Sequence, residues 1–296
     1  MIFSLLNIVI EQYDRELSIA MLRFFLFIII SFLLFPVSFS YATEVIDKIP
    51  NNILVYHRFN DERFPSTNTT LKQFEEQIQY LKNNKYKFIT LTELIANPEM
   101  KEKSISITVD DAYQSFYEFG FPVLKKYGIS ATLFLSTDTV GSSEHLNWTQ
   151  LKELSSYGID IQNHTHSHSR MPDQTIEEIE NEILISQKII FDNLGFEPDL
   201  FAYPYGETSI EVQEIVKKNF KAAFGQHSGV IDINKDKFEL PRFPINEVYG
   251  DLKRFRSIID SFPLEYKKLL PLEKKLTKKN NPTKFKVEFF KEQKNL

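Results

Sequence analysis

From Ile53 onward the apolar positions recur with two alternating periods, one of two residues and one of three to four. The period-two stretches read as strands. Residues 104–109 are the clearest case, because Ser106 and Thr108 alternate with Ile105, Ile107 and Val109. Residues 53–56, 88–91, 131–135, 159–162, 200–203, 222–225 and 238–240 are shorter apolar runs of the same kind. The helical stretches lie between them. Thr70-Leu-Lys-Gln73 has the form of a capping box and opens a helix with Leu71, Phe74, Ile78 and Leu81 on one face. Thr90 and Glu93 form a second capping box, and a helix after Asp111 runs to Gly128. Leu151 and Leu154 mark a helix stopped by Gly158, and residues 210–219 form another. The longest spans residues 175–193, with Ile176, Ile179, Ile183 and Ile190 on its buried stripe and Gly195 behind it. This alternation predicts an α/β fold of parallel strands with crossover helices, in which the active site lies at the C-terminal strand ends.

The two ends of the chain follow other rules. Residues 21–42 carry Arg23, an apolar run, and small residues Ser40 and Ala42 three and one positions before a cleavage point, which is the plan of a signal peptide. Residues 1–20 contain Glu11, Asp14 and Glu16 and read as an upstream extension, with translation starting at Met21. An uncleaved N-terminal anchor is the alternative, since the apolar run is near the length that spans a bilayer. Either reading predicts an exported protein, secreted, periplasmic or at the cell surface, with membrane contact only through a retained N-terminal segment. Residues 266–296 form a basic tail, read as solvated, and near residues 280–287 it resembles the beginning of a small β module.

A chain of 296 residues with 42% apolar and 25% charged residues suits one sizeable globular domain with appendages, and it is not a disordered protein. The net charge of -5 argues against a nucleic-acid partner. With no cysteine, the chain has no disulfide, no thiolate ligand and no thiol nucleophile, so a metal would be held by His, Asp or Glu.

Two adjacent carboxylates, Asp110 and Asp111, close the strand at 104–109. A solvated Asp-Asp turn is the simplest account, but burial of both would call for a cation or a shared proton. His164 and His168 in Asn163-His-Thr-His-Ser-His168 are spaced by one helical turn and, with Asp111, make a two-His, one-carboxylate set with positions open for water. His166 would point away. Ala202-Tyr-Pro-Tyr-Gly206 is a turn after a strand, able to offer backbone N–H groups to an oxyanion or to serve as an ordinary aromatic turn. His57 closes the first strand, and Gln226 and His227 would line the cleft wall.

Together these pieces resemble the polysaccharide deacetylase family, the carbohydrate esterases that share the NodB homology domain, over roughly residues 50–250. The resemblance implies a distorted (β/α) barrel, with the domain at residues 50–265. Thr108-Val-Asp-Asp111 is similar to the family's Thr-Phe-Asp-Asp motif, which implies that Asp110 is the general base and Asp111 a metal ligand. His164-Thr-His-Ser-His168 matches the motif whose first and last residues supply the other two ligands. Tyr203-Pro-Tyr-Gly206 resembles the third motif, implying that the Tyr205 N–H helps bind the oxyanion, while Ala202 stands where many members have Arg. The usual C-terminal Leu-x-His is missing, and Val55-Tyr-His57 fits its circularly permuted position in the poly-N-acetylglucosamine deacetylase branch, which implies that His57 is the general acid. Arg242 in Leu-Pro-Arg-Phe-Pro would orient Asp110. The expected reaction is metal-assisted removal of N-acetyl groups from an extracellular N-acetylated glycan with release of acetate. Zinc is the expected ion and cobalt or nickel the alternatives, and His57 is expected to lean on a carboxylate or carbonyl at its second nitrogen. A small-molecule amide hydrolase of the same fold and a glycan-binding protein without turnover are the rival readings.

Overall fold

Strand β5, Ser104–Asp110, is buried along its whole length, and its two faces differ in character. Ile105, Ile107 and Val109 join the larger apolar cluster with the helices, whereas Ser106, Thr108 and Asp110 point the other way. That second face is the inside of a curled sheet. In the computed structural model of this chain, residues 51–98, 102–232, 236–259, 261, 268–271 and 285–288 are described. They fall within one of the chain's two units, Lys48–Leu296.

Parallel pairing runs in the order β10-β1-β5-β6-β7-β8-β9, comprising Phe243–Pro244, Asn52–Tyr56, β5, Thr132–Leu135, Asp160–Asn163, Leu200–Ala202 and Ala222–Phe224. Strand β4, Lys87–Phe88, adds to the beginning of β5. One segment touches both sheet edges: Leu240 bridges to Phe224 of β9, and Phe243 and Pro244 pair with Leu54 and Val55 of β1. The sheet therefore curls toward the expected distorted barrel. Its interior is filled by Ile53, Phe134, Leu200, Ala202, Ala222, Phe224 and Leu240, with Leu91 and Leu94 of helix α2, Leu91–Ala96, in the same cluster. Phe134 lies 5.7 Å from Phe224, centroid to centroid, and is fully buried. Phe134→Ala is expected to cost about 3–5 kcal/mol, read as a lower urea midpoint with the slope unchanged.

The helices begin where polar caps allow. Helix α1, Leu71–Asn83, α2, and α5, Ile176–Leu194, start at Thr70, Thr90 and Thr175, each with a complete capping box. Helices α3, Phe121–Tyr127, and α4, Trp148–Tyr157, end at Gly128 and Gly158, and α6 spans Ile210–Asn219.

Three expectations need correction. The strand at 88–91 stops at Phe88, because Thr90 is committed to capping α2. Residues 238–240 make only the Leu240 bridge, and the strand that follows lies at Phe243–Pro244, beside β1. Ile176 sits in the first turn of α5 and is 57% exposed, so the buried stripe starts at Ile179 and includes Ser186. The short pairs β2, Arg58–Phe59, and β3, Asn68–Thr69, and helix α7, Leu252–Ile259, carried too little pattern to be predicted. In the tail, β11, Lys268–Pro271, pairs antiparallel with β12, Phe285–Glu288, in keeping with a small β module. The extension at 1–20, the signal segment at 21–42 and the rest of the tail lie outside the described residues.

Candidate active site

Three strand ends supply the site, and each leaves its strand through a left-handed residue. Seven non-glycine residues among those described have positive φ, and five of them, Asp111, Ala112, Thr165, His168 and Tyr205, follow β5, β7 or β8. Such conformations cost on the order of 1–3 kcal/mol each and persist where the surroundings over-determine them. At Asp111, φ of 71° turns the chain sharply just after the buried Asp110.

His164 follows β7, with its N–H donating to the Leu135 carbonyl. Its Nδ1 lies 2.7 Å from the Ala202 carbonyl, which can only accept, so Nδ1 carries a proton. That leaves Nε2, which is buried with no hydrogen-bond partner and lies 3.4 Å from Asp111 Oδ1. His168 Nε2 approaches the same oxygen at 3.1 Å, and one ligand atom from each of the three residues lies within 4.8 Å of the others. The spacing suggested a helical turn, but residues 164–170 form an irregular loop in which left-handed Thr165 and His168 reverse the chain. The expected convergence is reached by that reversal. Burial opposes charge on Asp111, yet the two facing imidazoles outweigh it and hold its carboxyl well below the ordinary range. Two imidazole nitrogens and one carboxylate, with an orphaned buried Nε2 among them, fit a divalent cation of borderline softness.

Asp110 and Arg242 meet in the barrel interior, both fully buried. Arg242 Nη1 and Nη2 each lie 2.7 Å from one Asp110 oxygen, a bidentate pair, while Nε donates to the Gly225 carbonyl and Nη1 to Thr108 Oγ1. Desolvation pushes the Asp110 carboxyl up, but the charges of Arg242, His164 and His57 and the Arg242 hydrogen bonds outweigh it, and the group stays an anion. Arg242 is thus placed directly on Asp110.

His57 continues the inward parity of Ile53 and Val55 and comes to the same place. Its Nε2 is 3.1 Å from Gln226 Nε2, which also lies 3.5 Å from Asp110 Oδ2. The partner seen at Nε2 is therefore a side-chain amide. Desolvation, helped by the charges of Arg242 and His164, lowers the imidazole pKa from its ordinary value despite the opposing pull of Asp110 and Asp111. The Tyr205 turn closes the third side: its ring stands 4.6 Å from that of His168, and Gly206 lies against the Gln226 backbone. A Cβ at Gly206 would fall 2.6 Å from Gln226 N at a φ of +67°, so only glycine fits.

Of the remaining candidates, His227 meets the site through its backbone, its carbonyl accepting from the Arg242 N–H. His166 Nδ1 is bonded to Thr137 Oγ1 at 2.8 Å, away from the trio as expected, and His227 is exposed. The sequence reading did not single out Tyr113. Its ring carries the Arg58 guanidinium at 3.5 Å and stands 4.8 Å from that of His145, and burial with the charge of Asp111 pushes its hydroxyl up to about 12. Its position two residues after Asp111 was the available signal.

Comparisons with known proteins bear on the family and the fold. The family model described as polysaccharide deacetylase matches residues 97–222. The Bacillus subtilis (strain 168) protein YxkH is 33% identical over 181 residues, 60% of this chain, and the chain spans 63% of that protein's length. The poly-β-1,6-N-acetyl-D-glucosamine N-deacetylase of Staphylococcus epidermidis is 30% identical over 217 residues, covering 67% of this chain and 75% of the relative. The solved structure of the Streptococcus pyogenes deacetylase PplD in complex with acetate has a TM-score of 0.66 at 23% identity, over 72% of this chain and 99% of its own, which is a match of fold. With the curled parallel sheet, the two carboxylates at the end of β5 and the paired histidines after β7 all in place, the chain belongs to the polysaccharide deacetylase family and is an enzyme acting on amide bonds.

Proposed function

We propose that the chain is a metal-dependent N-deacetylase of an exported kind, removing acetyl groups from N-acetylglucosamine-type units of an extracellular polysaccharide through a domain at residues 50–265. The observation that carries this reading is the convergence of Asp111, His164 and His168 beside a buried Asp110–Arg242 pair. The staphylococcal relative supports the glycan class, and residues 21–42 support export, secreted, periplasmic or at the surface. No nucleic-acid partner is proposed.

Asp111, His164 and His168 would hold a divalent ion, zinc first, with cobalt or nickel as alternatives. When bound, such an ion lowers the pKa of water toward ~7 and polarises the acetyl carbonyl. Asp110, aimed by Arg242, takes the proton of the attacking water as a C–O bond forms at the acetyl carbon. The Tyr205 N–H donates to the carbonyl oxygen as it gains charge, a contact worth roughly 3 kcal/mol. The C–N bond then breaks, His57 supplies the proton to the sugar amine, and acetate is released.

Acetate release from β-1,6- and β-1,4-linked N-acetylglucosamine oligomers, measured with and without a chelator and after adding back zinc, tests this function. Release from oligomers that stops with chelator and returns with zinc is the expected result. Turnover restricted to a monomeric amide favours the small-molecule reading. Oligomer binding with no acetate under any metal points to a glycan-binding protein.

A further inference from the structure

From His164 to His168 every backbone N–H of the histidine loop has an acceptor, and one remote side chain satisfies two of them. From 164 to 168, His164 donates to the Leu135 carbonyl, Thr165 to Asn163 Oδ1, and His168 to Thr165 Oγ1. His166 and Ser167 both donate to Glu182 Oε2, at 3.0 and 2.7 Å, and the Ser167 hydroxyl donates to Oε1 at 2.7 Å. Successive N–H groups converging on one point after a left-handed residue, here Thr165 at φ 68°, form a concavity suited to an anion. In this protein it is filled by the chain's own carboxylate. Glu182 is held in turn by α5, whose neighbouring Ile183 is fully buried among Phe201, Tyr203 and Val216.

We propose that Glu182 is a positioning residue that presets the histidine loop for its cation, so that His164 and His168 face Asp111 before any ion arrives. The inference rests on the metal-site reading above. Thr165 and His168 adopt conformations that a free loop would leave, and a site populated only part of the time binds with an affinity reduced by that fraction. Side chains supporting metal ligands typically contribute 10–100-fold in affinity. Without Glu182 two adjacent N–H groups lose their acceptor together, and the loop opens.

Chemistry separates reach from charge at this position. Gln has the same length and keeps an acceptor oxygen for the two N–H groups, with an amide that can donate to Ser167 Oγ. Asp keeps the charge but is one methylene short. The test is Co²⁺ affinity of the full chain, stripped of metal and titrated against a chromophoric chelator, with circular dichroism and thermal unfolding of each metal-free variant. Glu182→Ala and Glu182→Asp are expected to bind Co²⁺ about 10–100-fold more weakly with the fold retained, and Glu182→Gln within about threefold of the parent. Parent-like affinity in both Ala and Asp variants overturns the proposal, and so does a Gln variant as weak as Ala, which would assign the effect to charge. His164→Ala serves as the control: if it binds Co²⁺ as tightly as the parent, the metal-site reading fails instead.

Discussion

Asp110→Asn is expected to lower kcat by roughly 10²–10⁴ while the protein keeps its metal, whereas Asp111→Asn is expected to lose metal on dialysis. The two residues are adjacent in sequence, but strand geometry separates them: Asp110 is the last inward position of β5 and meets Arg242, while Asp111 leaves the strand at φ 71° and faces the imidazoles. Removing one partner of a buried ion pair leaves an uncompensated charge, so Asp110→Asn should also cost about 3–5 kcal/mol of stability. Stability and catalysis can be told apart. Adding Arg242→Met to Asp110→Asn removes the stranded guanidinium, and this double variant should regain most of the stability while its activity stays lost. The pair also leaves a signature in acid. The Asp110 carboxyl is lower in the folded chain than in the unfolded one, so its contribution is fully present above the ordinary carboxylate value and is lost as pH falls through the folded value. Parent protein should show that loss only in strongly acid solution, and Asp110→Asn should not show it. Equal metal loss in the Asp110 and Asp111 variants, by elemental analysis of dialysed protein, contradicts the division of labour.

Much of this site was legible because its elements announce themselves locally. Period-two alternation in β5 predicts that Asp110 shares a face with Ser106 and Thr108, and the strand–helix order predicts that Asp111, His164 and Tyr205 all arrive at one end of a parallel sheet. What could not be read is contact between groups far apart in sequence with no local period. Arg242 lies 132 residues from Asp110 on a segment whose strand has only two residues, and its role rests on Leu240 and Phe243 joining opposite sheet edges. Gln226 was legible as a cleft residue, but not as the amide between His57 and Asp110. Glu182 looks like any outward glutamate on an amphipathic helix, since nothing in the α5 pattern marks the loop that needs its oxygens. The His-x₃-His spacing predicts a helical turn where the chain forms an irregular loop, because spacing carries no information about left-handed residues such as Thr165 and His168.

His57→Ala is expected to leave metal content intact, lower kcat by roughly 10²–10⁴ and remove the alkaline limb of the pH–rate profile. The amine that departs from a cleaved amide needs a proton, and the six histidines of the chain offer few donors: His164 and His168 face Asp111, His166 is bonded to Thr137, and His227 is exposed. His57 is the imidazole joined to Asp110 through one amide, Gln226. That amide can serve either protonation state, since its NH₂ faces a bare Nε2 and, after a half-turn, its oxygen accepts from Nε2–H. The sign of the pH effect follows from the environment. A general acid works only while protonated, so activity through His57 falls as pH rises through its pKa, and desolvation with the charge of Arg242 sets that pKa below the ordinary 6.5. The alkaline limb of kcat/KM should therefore begin on the acid side of that value, and its absence in the Ala variant would tie it to this ring. Near-parental kcat with the limb unchanged would remove His57 from the mechanism and move the search to His145, whose ring stands 4.8 Å from that of Tyr113 beside Asp111.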